Sequence, residues 1–402
     1  MKHLLLILCM AFYSLTIHAD ALQFTAPLTV TTATKGIFIH LDSSGRRSLA
    51  VSDETVAVIW EDNRSGKPGI YIAYHLPGKK TFNGPDEISQ QSPAYEPAIA
   101  ALAGQRFLVA WETEDQAWLR VVSPSKKGKT VAIGRTPAKQ ITVAATKGGQ
   151  AGAVWSQGQQ RDAHVYYAAI TIDEYTIEVA SPQLVDKSKD KDVQQYPALA
   201  LTKLGEVIAW EDRRQGATRI FSAFSPDGKT FQDYHLLNEF APSPNPELGK
   251  GSGAMRPVLA SDGQQTVVAA WMDKRNWRSG YDVYAAFSTS AGKSFGKNEK
   301  AQDAFAEDIP QWHASVALRA KDGMAAVAWD DTRNESPDVF YSLRTKDGWS
   351  DDHELPGAAG PGRQSHPAIL FDSSGNMHAV WLDSTRDVLT LRYVRSIEGI
   401  PH

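Results

Sequence analysis

Seven apolar runs along the chain each end in a tryptophan, at Trp60, Trp111, Trp155, Trp210, Trp271, Trp329 and Trp381. Five of the seven continue Trp-x-Asp, and four of those read Trp-x-Asp-x-Arg: Trp60 to Arg64, Trp210 to Arg214, Trp271 to Arg275 and Trp329 to Arg333. Successive tryptophans lie 44 to 61 residues apart. A period near 50 residues with strand-like content implies stacked sheet units, none of which can bury its faces alone.

The last unit shows how each is built. His366–Phe371 is an apolar run, Asp372-Ser-Ser-Gly375 a turn, Met377–Trp381 a second run, and Val388–Val394 a third with alternating faces. Earlier units add a fourth strand, such as Phe82–Ile88. Four antiparallel strands in each of seven units predict an all-β, seven-bladed β-propeller. The seventh unit ends after its third strand. Phe24-Thr-Ala-Pro27-Leu-Thr-Val30 matches the fourth strand of the first unit, so the N-terminal segment is expected to complete the last blade and remove two open edges.

Hydrophobic residues make up 42% of the 402, ample for a core, and 30 Gly with 21 Pro suit short strands and many turns. A net charge of −4 gives no basic excess, which argues against nucleic acid as a partner. Lys2 and His3 precede the apolar run Leu4–Leu15, with Ala19-Asp-Ala21 as a small-residue cleavage site. Residues 1–21 therefore read as a signal peptide and 22–402 as one propeller domain, periplasmic or secreted, with no membrane span. The only cysteine, Cys9, lies in that leader, so the mature chain would carry no disulfide. A monomer is expected.

In a propeller blade the start of the first strand and the turn between strands two and three share one face. That face would gather the Trp-x-Asp-x-Arg turns, the long segments 238–254, 301–310 and 356–364, and the strand-start residues Arg47, Tyr95, Tyr196, Arg256, His313 and His366. The repeated motif itself is best explained as architecture. The Trp would fill the space between blades, the Asp would accept turn N–H groups, and Arg275 and Arg333 would pair with Asp282 and Asp338. Arg64 and Arg214 lack an acid at the matching position, which makes them candidates for an anionic ligand. Arg47 and Arg256 at strand starts, together with Trp312, His313 and His366, complete the candidate ligand-binding set. The histidines show no short metal-ligand spacing, and neither Gly-x-Ser-x-Gly nor a phosphate-cradling Gly loop occurs, so no metal or other cofactor is expected.

Between strands three and four, Ser225-Pro-Asp227-Gly-Lys-Thr-Phe231 and Ser288-Thr-Ser-Ala-Gly292-Lys-Ser-Phe295 resemble the Asp-box of the sialidase superfamily, with Thr345–Trp349 and Pro77–Phe82 as shorter versions. The first is one residue short and the second has Ser290 in place of the Asp. The resemblance implies a sialidase-like propeller whose boxes are structural turns on the face opposite the site. It would also imply an arginine clamp for a carboxylate and a Tyr–Glu nucleophile with an Asp acid/base. Arg47-Ser-Leu matches the family's opening Arg-Ile-Pro only loosely, and no Tyr–Glu pair is identifiable by spacing. The expectation is therefore a non-catalytic propeller that binds a glycan, an anionic ligand or an envelope protein. A sialidase-type exo-glycosidase for acidic sugars is the first alternative, and an envelope scaffold the second.

Overall fold

The computed structural model describes residues 21–397, apart from 35, 42–44, 160–161, 240–252, 276–279, 304, 306–307 and 386–387. The expected leader lies almost wholly outside the described residues, as do most of segment 238–254 and part of 301–310. Among the described residues no helix is long and apolar enough to cross a membrane.

Seven antiparallel sheets form the seven blades, each centred on one of the tryptophan-bearing strands. In blade four, for example, Gln194–Thr202, Gly205–Asp212, Arg219–Ser225 and His235–Leu236 pair in chain order. Blade seven is completed from the other end of the chain: Gln23–Phe24 and Leu28–Thr32 both pair with Val388–Ile397.

All seven indoles are fully buried, and each packs against the preceding blade. Trp60 lies among Val380, Leu391 and Tyr393 of blade seven, and Trp381 among Val339 and Tyr341 of blade six. The other five repeat the arrangement around the ring. A sheet hydrophobic on both faces needs a neighbour on each side, and a large side chain at every junction supplies it. Truncating a buried indole to Ala costs roughly 3–5 kcal/mol, so these junctions hold much of the fold together.

The Asp of the motif joins three groups. In blade one Asp62 accepts the Trp60 indole N–H at 2.8 Å, the Arg64 backbone N–H at 2.9 Å, and the Arg64 guanidinium at 2.6 Å. Blades five and six repeat all three contacts through Asp273 and Asp331. The turn after strand three of blade four is likewise closed by its own side chains. Asp227 accepts the Lys229 and Thr230 N–H groups, and Ser225 Oγ accepts that of Gly228.

Candidate functional site at the channel mouth

Six blades begin their first strand with the same irregularity. Glu96, Gln140, Tyr196, Arg256, His313 and His366 all have left-handed backbone, with φ between 50° and 56°. The pairing register slips at each of them, as in Met255/Val258 and Ser365/Ala368. None is glycine, and left-handed geometry at a non-glycine costs roughly 1–2 kcal/mol per residue. The bulge turns each of these side chains toward the central channel instead of into the sheet.

An acid of the preceding blade holds most of these bulges in place. The Glu96 N–H donates to Glu61, Gln140 to Glu112, Arg256 to Glu211 and His366 to Asp330, at 2.7 to 3.1 Å. Each acceptor is the residue directly after the blade's tryptophan. Blade three has Ser156 there, and the Tyr196 N–H goes instead to the Gln140 side chain at 2.8 Å. Burial raises the pKa values of Glu61, Glu112 and Glu211 above the usual carboxylate range.

Blade one departs from the pattern. Its first strand is split into Ile39–His40 and Leu49–Ser52, and the described chain between them runs into the channel. Gly45 accepts the Thr142 hydroxyl of blade three, Arg46 donates to Ile141 O at 3.2 Å, and Arg47 donates to Leu259 O of blade five at 2.8 Å. A Cβ at Gly45 would lie 2.9 Å from Pro197 O and 3.1 Å from Pro257 O, and its φ is 73°, so only glycine passes here. This excursion plugs the ring beneath a cavity of about 410 Å³ lined by Arg46, Glu96, Glu112, Tyr196, Arg256 and His366, among others.

The cavity wall is strongly charged. Arg46 bridges Glu96 at 2.9 Å and Glu112 at 3.4 Å, and His40 approaches Glu96 at 3.5 Å. Burial pushes Glu96 upward, but His40, Arg46 and Arg256 outweigh it and hold the carboxyl below its usual range. His40 is raised, chiefly by its contact with Glu96. The Arg256 guanidinium lies 3.2 Å from the Tyr196 ring centre, and its buried Nη1 has no hydrogen-bond partner among the described residues. His313 and His366 stack with ring centres 3.6 Å apart, and His313 Nδ1 meets Asp330 Oδ1 at 2.7 Å. Burial, with His313 and His40 nearby, lowers His366 to about 3. Trp312, 40% exposed, stands at the rim against Tyr281.

Of the seven ligand-binding candidates expected from the sequence, Arg256, Trp312, His313 and His366 meet in this cavity. The other three do not. Arg47 turns below the mouth to Leu259 O, and Arg46 takes the place at the cavity wall. Arg64 and Arg214 do have acidic partners: Arg64 pairs with Asp62, and Arg214 with Asp212, Asp186 and Asp190. Arg214 also packs over Phe221 and Tyr234, and although burial alone would lower it, Asp212 and Asp186 hold it above its usual range. The same correction applies to the expected cross-hairpin pairs. Arg275 binds Asp273 rather than Asp282, and Arg333 binds Asp331 and Asp352 rather than Asp338. Among the described residues, the Tyr–Glu hydrogen bond that is formed, Tyr71 to Glu87, joins the outer strands of blade one and not the channel.

Sequence reasoning missed Arg46, Glu96 and the acids that follow four of the tryptophans, Glu61, Glu112, Glu211 and Asp330. A signal for Glu96 was available in the repeat itself: Glu96, Tyr196, Arg256 and His366 each precede a proline at the same place in four blades, and a following proline disfavours the ordinary helical region.

The fold is a seven-bladed β-propeller with a charged cavity on the strand-start face. No family profile matches the sequence, and no curated protein matches it. Solved structures do match in fold. The GH93 α-L-arabinofuranosidase of Fusarium graminearum, in complex with arabinobiose, aligns over 92% of this chain and 97% of its own, at TM-score 0.52 and 12% identity. The α-L-arabinanase of Penicillium chrysogenum aligns over 94% and 100% at TM-score 0.52 and 10% identity. A Dyadobacter fermentans protein of unknown function aligns over 94% and 99% with the same score, at 10% identity. Identity this low carries the fold and not the activity.

Proposed function

We propose that the channel mouth of this extracytoplasmic propeller binds an anionic carbohydrate, with Arg256 as the group that receives its carboxylate. The observation that carries this reading is the state of Arg256. A strained backbone and the Tyr196 ring fix its guanidinium at the cavity wall, and a buried N–H is left without a partner among the described residues. A buried unpaired donor on a charged group is costly, and an incoming carboxylate satisfies it. Around it, Trp312 offers a flat apolar face for a sugar ring, and Glu96, Gln140 and His40 offer polar groups to hydroxyls. The printed substrates of the fold relatives are consistent with a glycan ligand but do not identify one.

Calorimetric titration with glucuronate- or galacturonate-containing oligosaccharides tests the reading. Binding should fall at least tenfold in Arg256→Ala and be absent for neutral oligosaccharides of equal length. Equal affinity for neutral and acidic sugars, or an unaffected Arg256→Ala, refutes it.

A second reading, hydrolysis of a glycosidic bond, has one observation in its favour. Glu96, held ionised, and Glu112, raised by burial, face the same cavity across the shared Arg46 guanidinium. Carboxyls pushed in opposite directions are what an acid and a base need. Against it, Glu112 is occupied as a bulge clamp, as Glu61 and Glu211 are in other blades. Release of a chromogenic leaving group from an aryl glycoside, lost in Glu96→Gln, would put the hydrolase ahead of the binder.

A further inference from the structure

We infer that His313, His366 and Asp330 form a binding site for one divalent transition-metal ion of the zinc class at the channel mouth. The three come from two adjacent blades. His313 starts the first strand of blade six, Asp330 follows that blade's tryptophan, and His366 starts the first strand of blade seven. Their candidate ligand atoms all lie within 4.8 Å of one another. Chain spacing concealed the grouping, because 17 and 36 residues separate the members and only closure of the ring brings them together.

Several features separate this cluster from a chance meeting of polar side chains. Both histidines sit on left-handed backbone, φ 55° and 56°, so strain is spent on aiming two imidazoles at one point. Their rings stack with centres 3.6 Å apart, which places the two imidazoles side by side at the channel mouth. Asp330 is 4% exposed and supplies the negative charge that a dication requires. Asp330 Oδ1 meets His313 Nδ1 and accepts the His366 backbone N–H, which fixes the carboxylate against both histidines. His366 Nδ1 is oriented by Ser365 Oγ at 3.0 Å, the kind of outer contact that sets a metal-ligand imidazole.

Two imidazoles and one carboxylate suit zinc and its first-row neighbours rather than calcium or magnesium, which prefer oxygen ligands. Ligands about 2.0–2.1 Å from a tetrahedral ion stand about 3.4 Å apart, so binding draws the cluster in and turns the two rings out of their stack until a nitrogen of each meets the ion. Three protein ligands would leave one position of a four-coordinate ion open. An open position is the mark of a metal that handles a ligand rather than one that only holds the fold.

The test uses the full-length untagged protein, stripped with EDTA and exchanged into chelator-free buffer, then titrated with cobalt(II) chloride and zinc chloride. One equivalent of cobalt should produce visible d–d absorption that zinc displaces. His313→Gln and His366→Gln should each weaken binding at least tenfold, whereas His235→Gln, on the outer edge of blade four, should not change it. Near-UV circular dichroism establishes that the variants are folded. Absence of a saturable cobalt spectrum, or an unchanged one in folded His313→Gln and His366→Gln, overturns the assignment. Acidic-oligosaccharide binding measured in EDTA separates this inference from the Arg256 reading, because the arginine contact persists without metal.

Discussion

The Trp-x-Asp-x-Arg turns and the strand-start bulges are both repeats around the same ring, but one is chemically closed and the other is open. In the turns, each Asp satisfies the backbone and guanidinium of its own motif, so Arg64, Arg214, Arg275 and Arg333 end in carboxylates of their own turn or blade neighbourhood. In the bulges the backbone is repeated and the side chains are not. Six positions with one φ carry Glu, Gln, Tyr, Arg, His and His, and all six line the same cavity. A repeat that conserves chemistry maintains the fold. A repeat that conserves only geometry and varies the chemistry builds an asymmetric site on a symmetric frame.

The sharpest way to break this contrast is to remove an acid from the closed repeat. Asp212 is fully buried and accepts the Arg214 backbone N–H, the Arg214 guanidinium and the Gln194 amide. Asp212→Ala leaves the buried guanidinium with Asp186 and the exposed Asp190, and frees the turn. We expect a loss of about 3–5 kcal/mol in urea unfolding, since breaking a buried pair strands a charge. Arg256→Ala in the open ring should cost less than about 1 kcal/mol by the same measurement, because no direct ion pair is broken and Glu96 keeps Arg46. Equal losses at the two sites would mean that the ring is architecture as well.

The difference also explains what the sequence could reveal. Seven tryptophans at a regular period report a large, unvarying need, one bulky side chain per blade junction, and so the ring, its order and the role of each indole follow from spacing. Glu96 was hidden because a bulge shifts by one residue which side chain faces the channel, and Arg46 because the first strand of blade one is split around it. Strand alternation counted from Tyr95 therefore points to the wrong neighbour. Arg64 and Arg214 misled because the acid of each motif lies two residues back in the motif itself, not across the hairpin. The His313–Asp330–His366 cluster depends on contact between blades six and seven, which no local pattern encodes.

A smaller effect separates the two regions by pH. His366 is buried neutral and titrates at about 3, well below the ordinary histidine value near 6.5. Between those values the unfolded chain binds a proton that the folded chain refuses, so stability is fully present above about 6.5 and falls as pH drops. From pH 6.5 to 5 in EDTA, His366 alone should remove about 2 kcal/mol. His366→Gln should flatten that limb of the stability profile, while His235→Gln, exposed in blade four, should leave it unchanged. An identical acid limb in His366→Gln would show that the mouth does not exclude the proton.

The smallest effect bears on the backbone itself. At position 256 the φ of 56° disfavours any residue with a Cβ, so Arg256→Gly should unfold at higher urea than Arg256→Ala, by about 1 kcal/mol. Glycine ordinarily loses this comparison inside a strand, because the unfolded chain gains freedom. Gln140→Gly against Gln140→Ala, at a φ of 56° in blade three, should show the same inversion. The two variants at each site lack the same polar contacts, so their difference reads the strain and not the chemistry. Glycine the weaker variant at both positions would mean that the bulges are relaxed, and the strain that aims Arg256, His313 and His366 into the cavity would no longer distinguish the ring from an ordinary strand.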